Sequence, residues 1–146
     1  MLFLKLCMTF AFLGLLACAR EVEGKEGTTS SDLSQSESVA LEWLKNIDAG
    51  DYKKSWNQGS SVFQSAISEA EWVKYLDEMR KPFGKESSRK LMDQRTAKDP
   101  KGLPQGDYMV LVYETSFSGG KKGVELLTLI STDQGWKILT YQIASK

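Results

Sequence analysis

The chain contains no histidine, which removes the commonest general base and the commonest metal ligand together. Its two cysteines, Cys7 and Cys18, both fall at the start of the sequence. The remainder therefore offers no disulfide, no thiol nucleophile and no sulfur-based metal cage. An excess of one charge is missing too: Lys plus Arg and Asp plus Glu each number 19. Acids and bases are interleaved, without the basic face that nucleic-acid binders display. No metal, no cofactor and no nucleic-acid partner is expected. At 146 residues the length suits one domain rather than two.

What is present begins with an address. Residues 1–17 read as a secretory signal peptide: Lys5 supplies the positive start, and residues 6–16 form an apolar core. That run is shorter than the roughly 20 residues a membrane span needs. Its end, Leu15-Leu16-Ala17-Cys18, resembles the lipobox of bacterial lipoproteins, in which the cysteine is acylated. Ala17-Cys18-Ala19 also fits the small-x-small site of ordinary signal peptidase, which would release a soluble periplasmic or secreted protein. The lipoprotein reading makes Cys18 the lipidation site and the membrane its first partner, held by several acyl chains such as palmitate. Ala19 at the following position is what outer-membrane delivery in enteric-type lipoproteins calls for, with the domain facing the periplasm. Residues 18–36 are charged and small polar, with only Val22 and Leu33 large and apolar, and are expected to form a flexible tether.

Residues 37–146 carry the globular signals. Ser34 and Glu37 have capping-box spacing, so a helix is expected to start just after Ser34. Ala40, Leu44 and Ile47 recur at helical spacing, widened by Leu41 and Trp43. Gly50 suits a left-handed helix exit, and Asp51 can cap a short helix carrying Tyr52 and Trp56. A further short segment around Val62, Phe63, Ala66 and Ile67 leads to Ser68 and Glu71, a second capping box, with Ile67 and Trp72 placed as a hydrophobic staple. Trp72, Leu76, Met79 and Phe83 then mark a helical stripe that ends at Pro82 and Gly84. The acids on this helix fit the dipole and the polar face.

The second half is sheet. Residues 88–97 form a polar strand placed near an edge. Residues 108–117, 124–132 and 136–144 alternate with period two and are joined by Gly-rich links, the pattern of an antiparallel meander. The glycines between the second and third strands, Gly119, Gly120 and Gly123, precede no helix and cradle no phosphate. Helices followed by strands make the fold class α+β, with N-terminal helices packed on a curved antiparallel sheet of about four strands. Val110 and Val112 face one side of the second strand and Leu111 and Tyr113 the other. That strand is therefore either central and covered on both faces, or open to a partner on one of them.

In order and spacing, IDAGDYKKSW, SEAEW, MRKPFG with SSRKL, LPQGDYMVLVYETSF and GWKILTYQI resemble a family of small bacterial envelope proteins, domain-of-unknown-function 4019. The resemblance covers about residues 39–143, with a shorter turn at LPQGDY. It implies a secreted or lipid-anchored single domain and carries no assigned activity. The element order is also similar to NTF2-like and cystatin-like folds, cones that hold small apolar ligands or, in some members, an active site.

The function expected is that of a non-catalytic envelope lipoprotein whose domain binds a small apolar ligand or an envelope protein, or is structural. Trp43, Trp56, Trp72, Tyr113 and Trp136 are the aromatics able to line a pocket, although core packing is their ordinary role. The alternative is a small cone-fold enzyme using a buried carboxylate, Asp107 or Glu114, with Tyr113 or Tyr141. Glu114 is the stronger of the two, because an apolar strand could desolvate it and raise its pKa. Arg80 and Arg89 are then its possible partners, or remain in solvent.

Overall fold

A computed structural model describes residues 30–146. The expected signal peptide, Cys18 and residues 18–29 of the expected tether lie outside the described residues. Helices α1 (Ser30–Asp48), α2 (Tyr52–Asn57), α3 (Ser61–Ala66) and α4 (Glu69–Arg80) come first. Strands β1 (Glu86–Lys98), β2 (Asp107–Phe117), β3 (Lys122–Thr132) and β4 (Gly135–Ser145) follow as one antiparallel sheet in the order β1-β2-β3-β4. The architecture is α+β, as the helices-then-strands order implies.

Helix α1 corrects the sequence reading at its start. Residues 30–36, expected as tether, are helical, and Ser34 is no N-cap, for its hydroxyl donates to the Ser31 carbonyl at 2.9 Å. The cause is tertiary: Leu33 packs on the core, and Ser36 is fully buried with its hydroxyl turned back to the Leu33 carbonyl at 2.9 Å. Serines that bond back to their own helix slightly destabilise it, so this first stretch depends on the packing of Leu33 and Ser36. Ala40, Trp43, Leu44 and Ile47 form the buried stripe, while Leu41, counted in it from spacing, is exposed.

The bend after α1 is built as its residues dictate. Gly50 takes φ +75°, open to glycine without strain. Asp51 then caps α2 by accepting the Lys54 amide at 3.2 Å. Ser55, fully buried on α2, ties three helices together: its carbonyl accepts the Trp43 indole N–H at 2.8 Å and its hydroxyl accepts that of Trp72 at 2.9 Å. The Ser68–Glu71 capping box at the start of α4 is formed in both directions.

In the sheet, alternation decides the layers. Met109, Leu111, Tyr113, Thr115 and Phe117 of β2 are buried beneath the helices together with Leu127, Leu129, Ile138 and Tyr141. Val110, Val112 and Leu126 lie half-buried on the outer face. β2 is thus central in the sheet, covered fully on one side only. β1 takes the edge, as its polar composition predicts. Register shifts at Glu86/Ser88, Leu91/Asp93 and Thr128/Leu129 mark bulges that bend the strands. The loop between β1 and β2 closes on itself, with the Gly106 amide donating to the Asp99 carboxylate at 2.8 Å and the Asp99 amide to the Gly106 carbonyl at 2.9 Å. Its Leu103 packs on a second small core of Tyr108, Ile130 and Leu139.

Candidate functional site

Two features stand out beneath the helices, one charged and one apolar. The charged one is assembled from every layer. Asp48 ends α1, Arg80 ends α4, Arg89 comes from the start of β1 and Glu125 from β3. Arg80 Nη1 donates to Glu125 Oε1 at 3.1 Å and Nη2 to Asp48 Oδ1 at 2.8 Å. Arg89 Nε donates to Glu125 Oε2 at 2.6 Å, and its two terminal nitrogens grip the Asp48 carboxylate at 3.0 and 3.1 Å. The result is a closed ring of two cations and two anions. Arg80 also lies over the Phe117 ring, 5.0 Å from its centroid.

Glu125 is wholly buried, and among the described residues no other acid is classed as buried. Its remaining acceptor sites are taken by Tyr141 Oη, at 2.6 Å, and by the Thr115 hydroxyl. Burial opposes the carboxylate charge, but the hydrogen bond and charge of Arg89, with the two hydroxyls, outweigh it and hold the Glu125 pKa below its ordinary value. Arg89 answers in kind: burial disfavours its charge, and the hydrogen bonds it donates to Asp48 and Glu125 prevail, raising its pKa. Burial, followed by the Glu125 charge, pushes the Tyr141 hydroxyl well up. Glu125 and Arg89 are thereby held charged and Tyr141 neutral.

This corrects the carboxylate expectation. Glu114 sits on the outer face of β2, paired with Lys146 and, at 3.9 Å, with Lys122. The Lys146 hydrogen bond and charge lower its pKa, the opposite of a desolvated acid. Adjacent strand residues point to opposite faces, so Glu114 and Tyr113 do not share a site. Asp107 is exposed at the start of β2. Arg80 and Arg89 turn inward, to Glu125 and Asp48 rather than to Glu114. Sequence reasoning missed Glu125, although Val124-Glu125-Leu126-Leu127-Thr128-Leu129 puts it on the same face as Leu127 and Leu129, a period-two signal for a buried acid.

The apolar feature is a cavity of about 90 Å³ between the helices and β4. Val62 and Phe63 of α3, Ile67, and Trp72 and Tyr75 of α4 form one wall; Leu103 and residues 139–142 of β4 form the other. Phe63 meets Trp72 edge-on at 4.8 Å, and Tyr75 stacks on Trp72 at 5.6 Å with 27° between planes. The Tyr75 hydroxyl is buried without a hydrogen-bond partner. Burial raises its pKa, so it stays a neutral O–H donor. The lining carries no carboxylate, lysine or arginine.

Of the five aromatics expected to line a pocket, Trp72 borders this cavity. Trp43 is buried against Trp72 and Tyr141, with centroids 6.2 and 5.4 Å away. Trp56 packs on the core and donates to the Ile67 carbonyl at 2.9 Å. Trp136 is buried in the same core. Tyr113 is buried too, its hydroxyl unpaired, and burial and then the Glu37 charge push its pKa up. A second, more open depression of about 560 Å³ is walled by Phe83 and by Lys121, Lys122 and Lys146. Lys122 and Lys146 are engaged by Glu114, and Lys121 by the Pro82 carbonyl.

The order of these elements can be compared with known proteins. A family model described as protein of unknown function, DUF4019, matches residues 39–141. The chain belongs to the DUF4019 family. The DUF4019 match includes all four ions of the ring and most of the cavity wall. Among solved structures, the chain is similar to a proposed dehydratase of the NTF2-like family from Streptomyces avermitilis. The two share 9% identity with a TM-score of 0.53, covering 82% of this chain and 99% of that one. It is also similar to an NTF2-like protein of unknown function from Silicibacter pomeroyi, with 14% identity, a TM-score of 0.48 and coverage of 82% and 100%. The likeness to the Streptomyces avermitilis structure shows an NTF2-like fold for the DUF4019 domain and nothing of its chemistry. No functionally curated protein matches the chain in sequence.

Proposed function

We propose that this DUF4019 protein is a bacterial envelope lipoprotein, anchored through Cys18, whose domain binds a small apolar ligand and catalyses no reaction. The observation that carries the binding part is the separation of charge from space beneath the helices. A general base needs a free lone pair and a pKa near the working pH. Glu125 instead has each oxygen shared between two donors and a lowered pKa. The small cavity against β4 lies to one side of Glu125, and nearly all of its lining surface is apolar. Small-ligand sites of this kind combine an apolar lining with few polar groups.

The anchor is supported by the lipobox-like Leu15-Leu16-Ala17-Cys18 directly after an apolar core. Ala19 supports delivery to the outer membrane, with the domain facing the periplasm. No described helix is long and apolar enough to cross a membrane. Metabolic labelling with a fatty-acid analogue tests the anchor: wild type takes up label and Cys18→Ser does not, whereas an unlabelled wild type refutes it. Titrating the domain with small apolar compounds and envelope lipid extracts, read by tryptophan fluorescence, tests the binding. Trp72 lies in the cavity wall, so binding changes its emission; constant emission over the full range contradicts the proposal.

A further inference from the structure

The sheet face turned away from the helices carries an apolar band inside a basic border. At one end the loop after β1 folds Leu103 over Tyr108 and Ile130. Beyond it Val110, Val112, Val124 and Leu126 lie on adjoining strands, each partly exposed. Met92, 54% exposed, sits at the β1 bulge beside Val112. Lys90, Arg95, Lys122, Lys137 and Lys146 border the band, against two acids, Asp93 and Glu114. Asp93 pairs with Arg95 at 2.7 Å, and Glu114 with Lys122 and Lys146. Bases therefore exceed acids on this face. Charges that interleave in sequence are segregated between layers. Residues 30–80 hold nine acids and five bases, whereas residues 81–146 hold seven acids and eleven bases.

We propose that this outer sheet face docks on an anionic phospholipid surface, a membrane contact separate from the Cys18 anchor. It draws on the anchor reading only for its nearness to a bilayer. The lysines and Arg95 meet the headgroup phosphates, and Met92 and the valines enter the boundary with the acyl chains. Lysine stems lie along apolar surface while their ammonium groups stay in the polar layer. The start of the described chain lies close by, for the Leu33 carbonyl accepts from Gln94 of edge strand β1 at 3.4 Å. Residues 18–29 span at most about 40 Å, so an anchored chain keeps this edge near the bilayer. A second copy is disfavoured, because two faces with the same excess of positive charge repel. The bases surround the band without converging on one point, which suits a continuous layer of headgroups better than one acidic segment.

Residues 19–146 contain the whole described core and lack Cys18, so they report on the face without the anchor. They are co-sedimented with vesicles of phosphatidylglycerol mixed with phosphatidylcholine, and of phosphatidylcholine alone. Binding to the anionic vesicles is expected, and its loss as salt is raised. Replacing Lys90, Arg95 and Lys137 together by Gln should weaken it on the order of a hundredfold, from about fivefold per cation. Met92→Ser should weaken it about fivefold. Replacing Lys45, Lys53 and Lys54 by Gln removes the same charge from the helical layer and should change little; urea unfolding confirms that each variant is folded. Equal loss in the two triple variants, equal binding to both vesicle types, or no binding to anionic vesicles overturns the proposal. Tighter binding to poly-glutamate than to vesicles assigns the face to an acidic protein, and self-association abolished by Met92→Ser assigns it to a second copy; either overturns it. Failure here leaves the fatty-acid labelling result, and with it the anchor, intact.

Discussion

Replacing Glu125 by Gln keeps the shape of the side chain and removes its charge, which makes it the sharpest probe of the buried ring. In the wild type, Glu125 accepts from Arg80, Arg89, Tyr141 and Thr115 with none of its surface exposed. Glutamine offers one acceptor oxygen and turns an NH₂ toward groups that are themselves donors. Asp48 alone is left to balance two guanidinium groups. Breaking a buried ion pair by removing one partner costs roughly 3–5 kcal/mol, a large part of the 5–15 kcal/mol typical of a whole domain. Urea unfolding, followed by far-UV circular dichroism and tryptophan fluorescence, reads the effect. With a slope of about 1–3 kcal/mol per molar for a domain this size, the midpoint should fall by at least about 1 M. Glu114→Gln is the control, since its pairs with Lys122 and Lys146 lie on the outer face, where solvent screens them. Arg89→Met combined with Glu125→Leu leaves a balanced Arg80–Asp48 pair, and its cost should be less than the sum of the single changes. A Glu125→Gln effect no larger than that of Glu114→Gln would refute the ring as the lock between helices and sheet.

The same ring sets the acid limit. The Glu125 pKa is lowered on folding, so its contribution is complete above the unfolded Glu value of about 4.3 and is lost as pH falls through the folded value. Chemical denaturation between pH 3 and 7 should show stability falling below about pH 4.3, with a smaller loss in Glu125→Gln. At the alkaline end the sign reverses: Tyr141 and Tyr113 have raised pKa values, so stability should decline above about pH 10 as the unfolded chain ionises first. Tyr113→Phe removes a hydroxyl without a partner and should leave the Tm unchanged or higher, as differential scanning calorimetry would show. Ser68→Ala deletes the α4 cap and should cost about 0.5–2 kcal/mol in urea unfolding. Gly59→Ala would place a Cβ 2.2 Å from the Phe63 ring, an overpacking cost of about 1–3 kcal/mol by the same assay.

Local grammar carried much of the fold. The Ser68–Glu71 box, the Gly50–Asp51 bend and the strand alternation depend on near neighbours, so spacing alone locates them. The edge position of β1 follows from its polarity for the same reason. The start of α1 was hidden because what makes residues 30–36 helical is the docking of Leu33 and Ser36, which no local pattern records. The candidate site was legible in parts. Arg80, Arg89 and Tyr141 carry visible chemistry, but their partners are 45, 36 and 16 residues away in sequence. The acid chosen for them, Glu114, is one residue away from the inward face, a displacement that reverses exposure in a strand. Tyr75 drew no notice, since a tyrosine on a helix is ordinary until its hydroxyl is seen to be buried alone.

The central claim is that the DUF4019 domain separates a structural ring of charge from an apolar binding cavity. The most direct test is the site of perturbation in ¹⁵N spectra of the domain titrated with xenon. Shifts should centre on the Trp72 indole and on the amides of Tyr75 and residues 139–142. The guanidinium Nε–H of Arg89 should keep its position. Shifts centred on Arg80, Arg89 and Asp48, with the cavity residues unmoved, would contradict the account.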